Sequence, residues 1–511
     1  MLFPSTTLLV VSTFLIGSSD AMNVIVMQPD DLEYFNAWTP PPNVRSVTVE
    51  FPSVGLPNIE RLRKDGLQMM NAYTASPKCG TSRYSTITGK YPSRSRSSQR
   101  IASRENAYVS RVTIPTTKMQ NQDCSTDNLA ATFQRNNFAT AMLGKWHLSR
   151  FNNNQYTYSN AVATVQNCGF DVVDGLYIEN LAANENEFNN YSDGTFSHNM
   201  EWITYEAVKF INDQASKSKD FFMYFNPTVP HGSNDIEMAL TQFNCTDTAN
   251  GSLDFEPIVP GMMGTHTTCE SYRKSIFERA ESADDYGPIW LDDGVGGLIK
   301  ALEDNNILDD TLFLFQIDHG MTTKGALYEG GNKIPQFIHY PSKIVGGSTS
   351  NALVSTIDIA PTIYDFAGIT LDYDLDGISW KGVIENANNE EDFFKNERCL
   401  FFEMEQDRAV RCGCWKYLKI NDITSSSTTI TRGNQFGLSN LEHNAFDLCD
   451  GIDEYIADDG NNREAIAANL YEDSNRFTSA LKQQFEDAMT CHLERTTHDA
   501  INQFASCGPQ M

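Results

Sequence analysis

Four short apolar runs, far apart in the chain, each end in a polar cluster, and this arrangement constrains the fold more than any other feature. Asn23-Val24-Ile25-Val26-Met27 leads to Asp30-Asp31, and residues 138–143 lead to Gly144-Lys145-Trp146-His147. Residues 220–225 lead to Pro227-Thr228-Val229-Pro230-His231, and residues 311–317 to Asp318-His319-Gly320. Such runs, rich in β-branched and aromatic residues, read as strands covered on both faces. Amphipathic stretches intervene. Residues 57–69 carry Ile59, Leu62 and Leu67 on one side, and residues 201–213 carry Trp202, Tyr205, Ala207, Val208 and Ile211. In residues 286–303, Ile289, Val295, Leu298, Ile299 and Leu302 form the apolar face. Gly294, Gly296 and Gly297 weaken that helix unless it packs closely on the sheet. Strands alternating with helices predict an α/β fold: a large mixed, mostly parallel sheet sandwiched by helices. Ligands of such sheets gather beyond the carboxyl ends of strands, where all four polar clusters fall.

The 511 residues suffice for more than one domain. Residues 8–16 are mostly apolar, with small residues following at Ser19 and Ala21, so 1–21 reads as a secretory signal peptide. Neither this run nor any later one is long enough to span a bilayer, which predicts an exported protein without stable membrane insertion. Residues 385–396 are acidic and rich in Asn. They divide a main domain, 22–390, from a smaller one, 391–511. Residues 399–403 and 409–420 read as antiparallel strands, and 474–493 as a last helix with Phe477, Leu481, Phe485 and Met489 on one face. Eleven cysteines leave an even number once Cys79 is set aside, which allows five disulfides in an oxidising compartment. Cys412 and Cys414, two apart in a strand-like stretch, face the same side and pair with different partners. Asn190, Asn244 and Asn250 open glycosylation sequons, the last two within a non-periodic stretch, 244–268. The net charge of −28 argues against nucleic acid or an anionic membrane as partner. One local reversal, Arg83, Lys90, Arg94, Arg96, Arg100, Arg104 and Arg111, reads either as a solvated loop or as an anion-attracting rim.

Cys79-Gly80-Thr81-Ser82-Arg83, continuing to Thr88-Gly89-Lys90, resembles the signature of the type I sulfatases, in which the cysteine is oxidised to formylglycine. That signature has Pro or Ala where Thr81 stands. Gly144-Lys145-Trp146-His147 is similar to the family's Gly-Lys-Trp-His-Leu stretch. Asp318-His319-Gly320, Lys324-Gly325 and Tyr328-Glu329-Gly330-Gly331-Asn332-Lys333-Ile334-Pro335 resemble its Asp-His/Asn-Gly, Lys-Gly and Tyr-Glu-Gly-Gly-x-Arg-x-Pro stretches, with Lys333 for arginine. Phe446-Asp447-Leu448 matches a stretch of the family's small C-terminal domain.

The resemblance implies a sulfuric ester hydrolase, arylsulfatase-like, on the alkaline-phosphatase superfold. Its nucleophile would be a formylglycine hydrate at position 79, made by the formylglycine-generating enzyme. One hydroxyl attacks sulfur to give a covalent sulfated intermediate, and the other collapses to the aldehyde and expels sulfate. Asp30, Asp31, Asp318 and His319, with position 79, would hold one divalent cation, calcium before magnesium or manganese. Arg83, Lys145 and Lys324 would stabilise sulfate charge, His147 would act as base, and His231 would protonate the leaving oxygen. Taken alone, Pro29-Asp30-Asp31 is a turn, Lys145-x-His147 a surface pair and His231 a loop histidine. Sulfated small molecules and sulfated carbohydrates both suit an exported enzyme. Two other readings are a phosphoester or phosphonate hydrolase of the same superfold, and an inactive binding protein in which Cys79 stays a thiol.

Overall fold

A computed structural model describes residues 22–32, 55–98, 119, 121–149, 156–178, 197–321, 324–385, 398–405, 407–420, 443–449, 469–497 and 507. The signal-peptide reading, the Asn190 sequon, and Arg100, Arg104 and Arg111 lie outside these residues. The strands in chain order are β1 (Asn23–Met27), β2 (Leu67–Tyr73), β3 (Ala139–Lys145), β4 (Val172–Tyr177), β5 (Phe221–Asn226), β6 (Asp247–Thr248) and β7 (Gly251–Ser252). There follow β8 (Thr311–Gln316), β9 (Gln336–His339), β10 (Ser348–Ser355), β11 (Cys399–Met404), β12 (Asp407–Cys412), β13 (Trp415–Lys419) and β14 (His443–Asp447). The helices that matter below are α1 (Pro57–Lys64), α2 (Cys79–Thr88), α3 (Met200–Ser216), α4 (Tyr286–Asp304), α5 (Ile359–Phe366) and α6 (Ser479–Thr497).

Eight strands form one sheet in the order β10-β2-β9-β8-β1-β5-β3-β4. Only β9 runs against its neighbours β2 and β8; the other pairings are parallel. The fold is therefore the α/β one expected, mixed and mostly parallel. β1 lies at its centre, with Val24, Ile25, Val26 and Met27 fully buried, as are Leu312, Phe313, Leu314 and Phe315 of β8. Burial on both faces explains why these runs lack alternation. The ends of β8, β1, β5 and β3 stand side by side, so four distant polar clusters share one edge of the sheet.

Several expectations shift. The helix expected over 57–69 stops at Lys64, and Leu67 instead opens β2. The glycines of α4 do permit close packing, but against other elements than the sheet. A Cβ on Gly294 would meet Met200 Cε at 2.6 Å, and one on Gly297 would meet Thr204 Cγ2 at 2.9 Å, both on α3. The stretch 244–268 holds the β6–β7 hairpin, is tied by Cys245–Cys269, and exposes Asn244 and Asn250.

The second sheet, β11-β12-β13-β14, is antiparallel throughout. Phe485 and Met489 of α6, with Phe477 just before it, pack on Val410 and Tyr417 of this sheet. On its other side Leu400, Phe402 and Leu418 meet Tyr73, Tyr328 and Leu353 from the larger unit. Ten cysteines pair: Cys124–Cys168, Cys245–Cys269, Cys399–Cys412, Cys414–Cys449 and Cys491–Cys507. Cys412 and Cys414 do take different partners, but they do not share a strand face. Gly413 (φ 54°) turns the chain between β12 and β13, and Cys412 faces Cys399 across the ladder. Five disulfides fit an oxidising, extracytoplasmic compartment. Among the described residues no helix is long and apolar enough to cross a membrane.

Candidate active site

Two short polar segments after β1 and β8 create the centre of the site. Asp31 follows β1 with φ 59°, a left-handed conformation that Asp tolerates better than most residues. Its N–H donates to Asp318 Oδ1 (3.3 Å), locking the two strand ends together. His319 N–H donates to the same oxygen (3.1 Å), and its Nδ1 pairs with the Gly320 carbonyl (3.0 Å). A carbonyl only accepts, so Nδ1 carries the proton. His319 Nε2 then faces Cys79 Sγ at 3.3 Å, Asp31 Oδ1 at 3.3 Å and Asp318 Oδ2 at 3.7 Å.

Cys79 is the first residue of α2 and the one free cysteine among the described residues. Lys78 before it is extended, so the chain enters the helix at the cysteine itself. Backbone N–H groups at a helix start favour negative charge nearby. One turn on, Arg83 is fully buried. Its guanidinium touches Asp30 and Asp318 at 3.4 Å each and reaches the carbonyls of Gln28 (3.3 Å) and Lys145 (3.4 Å). Arg83 Nε has no hydrogen-bond partner among the described residues. Lys145, at the end of β3, pairs with Asp30. Lys324 bridges both oxygens of Asp31 (2.7 and 2.6 Å), and His231 Nε2 stands 3.4 Å from Asp31. His147 follows Lys145 at the same strand end, with φ 57° and its N–H on the Ile178 carbonyl (3.0 Å).

Burial would raise every carboxyl here, yet Lys145, His231 and Arg83 hold Asp30 well below the usual carboxylate range. Asp31 is lowered too: burial and Asp30 push it up, but His319, Lys324 and His231 outweigh them. Asp318 is raised, because burial and the two aspartates outweigh His319 and Arg83. Burial also pushes the Cys79 thiol up, and a neutral thiol is a poor nucleophile.

Donor atoms of Asp31, Cys79, Asp318 and His319 all lie within 4.8 Å of one another. Acceptor atoms of like character facing each other in a buried place suit a cation. Asp30 stands beside this group rather than in it, its carboxylate taken by Lys145 and Arg83. With cysteine at 79 the set includes a soft sulfur; with a hydrated aldehyde there it would become mostly oxygen, the donor that calcium and magnesium prefer.

Each residue singled out for the site thus lies at this edge, and all but His147 are linked by the contacts above. Three described members of the basic run, Arg83, Lys90 and Arg94, do not form the anion-attracting rim. Arg83 is buried, Lys90 pairs with Asp127 (2.8 Å) and Arg94 with Asp376 (2.6 Å), acids from distant segments. Sequence reasoning missed the supports beneath. Tyr224 O–H donates to Gln28 Oε1 (2.5 Å), Gln28 Nε2 donates to Ser82 Oγ (3.1 Å), and Asn226 Nδ2 donates to the Lys145 carbonyl (3.1 Å). Gln28 and Asn226 are polar residues at the ends of apolar strands, which is the signal that could have found them. His198, buried beside Thr228, was missed as well.

Residues 24–369 match the protein-family model for Sulfatase. An N-acetylglucosamine-6-O-sulfatase of Bacteroides thetaiotaomicron is 24% identical over 436 residues, 70% of this chain and 71% of that protein. An arylsulfatase of Hemicentrotus pulcherrimus is 26% identical over 388 residues, 70% of this chain but 62% of that protein. In fold, the chain resembles a solved protein in complex with its substrate D-glucosamine-2-N,6-O-disulfate. The TM-score is 0.56 at 18% identity, over 94% of this chain and 100% of that one. With a family match that takes in every strand of the eight-stranded sheet but for Asn23 of β1, this chain belongs to the sulfatase family.

Proposed function

We propose that the protein hydrolyses sulfate monoesters through a formylglycine hydrate at position 79, with one calcium ion held by Asp31, Asp318, His319 and position 79, and Asp30 beside them. The observation that carries this reading is the isolation of Cys79. Ten cysteines are paired, while this one is buried at a helix start, 3.3 Å from a histidine nitrogen, among carboxylates. A disulfide partner is absent and a thiolate is disfavoured, so conversion to an aldehyde gives the position a use. Calcium, when bound, would neutralise sulfate charge and acidify the nearby hydroxyls.

A hydrate at 79 supplies one hydroxyl to bond sulfur as the sulfur–oxygen bond to the alcohol breaks, and a second whose deprotonation expels sulfate and restores the aldehyde. His231, at the rim and 20% exposed, is placed to give the departing alcohol oxygen its proton. His147 takes the proton from the second hydroxyl. Lys145 and Lys324 now sit on Asp30 and Asp31, and the same ammonium groups are within reach of sulfate oxygens entering beside them. Arg83, buried between Asp30 and Asp318, adds its positive charge from beneath. Thr81 is no obstacle to packing, since its hydroxyl pairs with Ser76 Oγ (2.8 Å) and the Lys78 carbonyl (3.0 Å). We read sulfated carbohydrate as the substrate class, a reading supported by the sugar-sulfate relatives named above.

The test is hydrolysis of 4-nitrophenyl sulfate and of a 6-O-sulfated amino sugar, with 4-nitrophenyl phosphate alongside. Sulfate release that a chelator stops and calcium restores, and that Cys79→Ala abolishes, supports the proposal. Phosphate release with no sulfate release overturns it.

A further inference from the structure

Outside the catalytic set, the buried side chain of His198 has no structural account. It precedes the cap of α3 and is held rigidly on both sides. The Ser197 carbonyl accepts from Tyr177 O–H (2.8 Å). The Asn199 side chain accepts from Trp202 N–H (2.9 Å) and donates to the Cys245 (2.7 Å) and Asp247 (3.0 Å) carbonyls. The imidazole is 2% exposed. Its Nδ1 pairs with Thr228 Oγ1 at 2.8 Å, and its Nε2 has no hydrogen-bond partner among the described residues. Packing alone does not call for this. A phenylalanine would fill such a space without leaving a buried polar atom unmet, which destabilises a fold.

What the ring touches is the base of the segment that presents His231. The Thr228 carbonyl accepts from His231 N–H (3.3 Å), so Thr228 closes the turn that carries the histidine. Asp30 bridges to Pro230 in the same turn, and the charges of His231, Asp30 and Lys145 all act on the ring. Burial, with His231 next, pushes the His198 pKa down to about 3, so the ring stays neutral and keeps one N–H and one lone pair.

We propose that His198 is a positioning residue for His231: through Thr228 it fixes the turn so that the His231 ring meets the departing oxygen. This rests on the reading of His231 as proton donor. A displaced donor harms departure of a poor leaving group far more than a good one, because a phenolate such as 4-nitrophenolate leaves with little protonation.

The experiment compares kcat of the full chain on 4-nitrophenyl sulfate and on a 6-O-sulfated sugar, for wild type, His198→Phe, His198→Asn and Thr228→Val. The expected result is a loss of about 10- to 100-fold on the sugar sulfate for His198→Phe, with a much smaller loss on the aryl sulfate. Thr228→Val reproduces that split. His198→Asn, whose amide can replace the Nδ1 contact, restores much of the sugar activity. Equal losses on both substrates, or none on either, overturn the proposal. If His198→Phe does not fold, Thr228→Val decides by the same criteria. A wild type active on neither sulfate overturns the sulfatase reading itself, a failure distinct from the other.

Discussion

Three aspartates and three basic side chains meet at the edge of the sheet, and their pairing explains why so many charges can be buried together. Asp30 is matched by Lys145 and Arg83, Asp31 by Lys324, and Asp318 shares Arg83. Removing one partner leaves the other buried and unmatched, which typically costs about 3–5 kcal/mol. A Lys324→Ala variant is therefore expected to lose stability as well as about 10²- to 10³-fold in kcat/KM, the cost of one lost donor to developing charge. Thermal unfolding and steady-state kinetics on one aryl sulfate measure both. Asp318 makes a separate prediction, independent of turnover. Calcium at about 100 times its Kd should stabilise wild type by about 2.7 kcal/mol. In Asp318→Asn, calorimetry should show that shift lost. An unchanged shift would place the cation elsewhere.

At the scale of elements, Gly144 shows how local geometry delivers a side chain to the site. It bends β3 with φ 92°, and a Cβ there would lie 2.0 Å from the Asn226 carbonyl oxygen. Only glycine lets β3 approach β5 closely enough for Asn226 and Arg83 to hold the Lys145 carbonyl. Gly144→Ala should destabilise by about 1–3 kcal/mol and lower kcat more than it raises KM, as denaturation curves and kinetics would show. The elements readable from sequence were those buried on both faces. β1, β3, β5 and β8 are uninterrupted apolar runs, and their polar ends brought nearly the whole site with them. β2, β4, β9 and β10 were illegible for a physical reason. Asp174 and Gly175 interrupt β4, Asn71 interrupts β2, β9 is only four residues long, and the edge strand β10 opens on four polar residues, of which Thr349 and Asn351 are exposed. Pairing across the sheet, rather than local pattern, makes them strands. His198 escaped notice similarly, lying in an Asn-rich stretch without periodicity.

At the scale of the molecule, Glu403 joins three parts of the chain. It is fully buried in β11, accepts from Ser93 N–H (2.8 Å) and O–H (2.6 Å), and pairs with His492 of α6 (3.0 Å). The His492 ring stacks on Phe401 with centroids 4.2 Å apart. Burial opposes the charge on Glu403, but His492, Arg408 and Ser93 hold its carboxyl below the ordinary glutamate value. A carboxyl lowered on folding contributes stability that is complete above its unfolded pKa, about 4.3, and lost as pH falls through the folded value. The difference in Tm between wild type and Glu403→Gln should therefore be constant from neutral pH down to about 5 and shrink below about 4. None of this was visible beforehand. The acids that pair with Lys90, Arg94 and His492 come from distant segments, so their roles emerge only when the chain is folded.

The proposed chemistry depends on which atom, sulfur or oxygen, is attached to Cβ of residue 79. Mass spectrometry of the peptide containing Cys79, from protein shown to release sulfate, reads it directly. A formylglycine there makes the peptide lighter by the difference between a CH2–SH and a CHO group and leaves it unreactive toward thiol alkylation, which is the expected result. An intact, alkylatable thiol in fully active protein would contradict it.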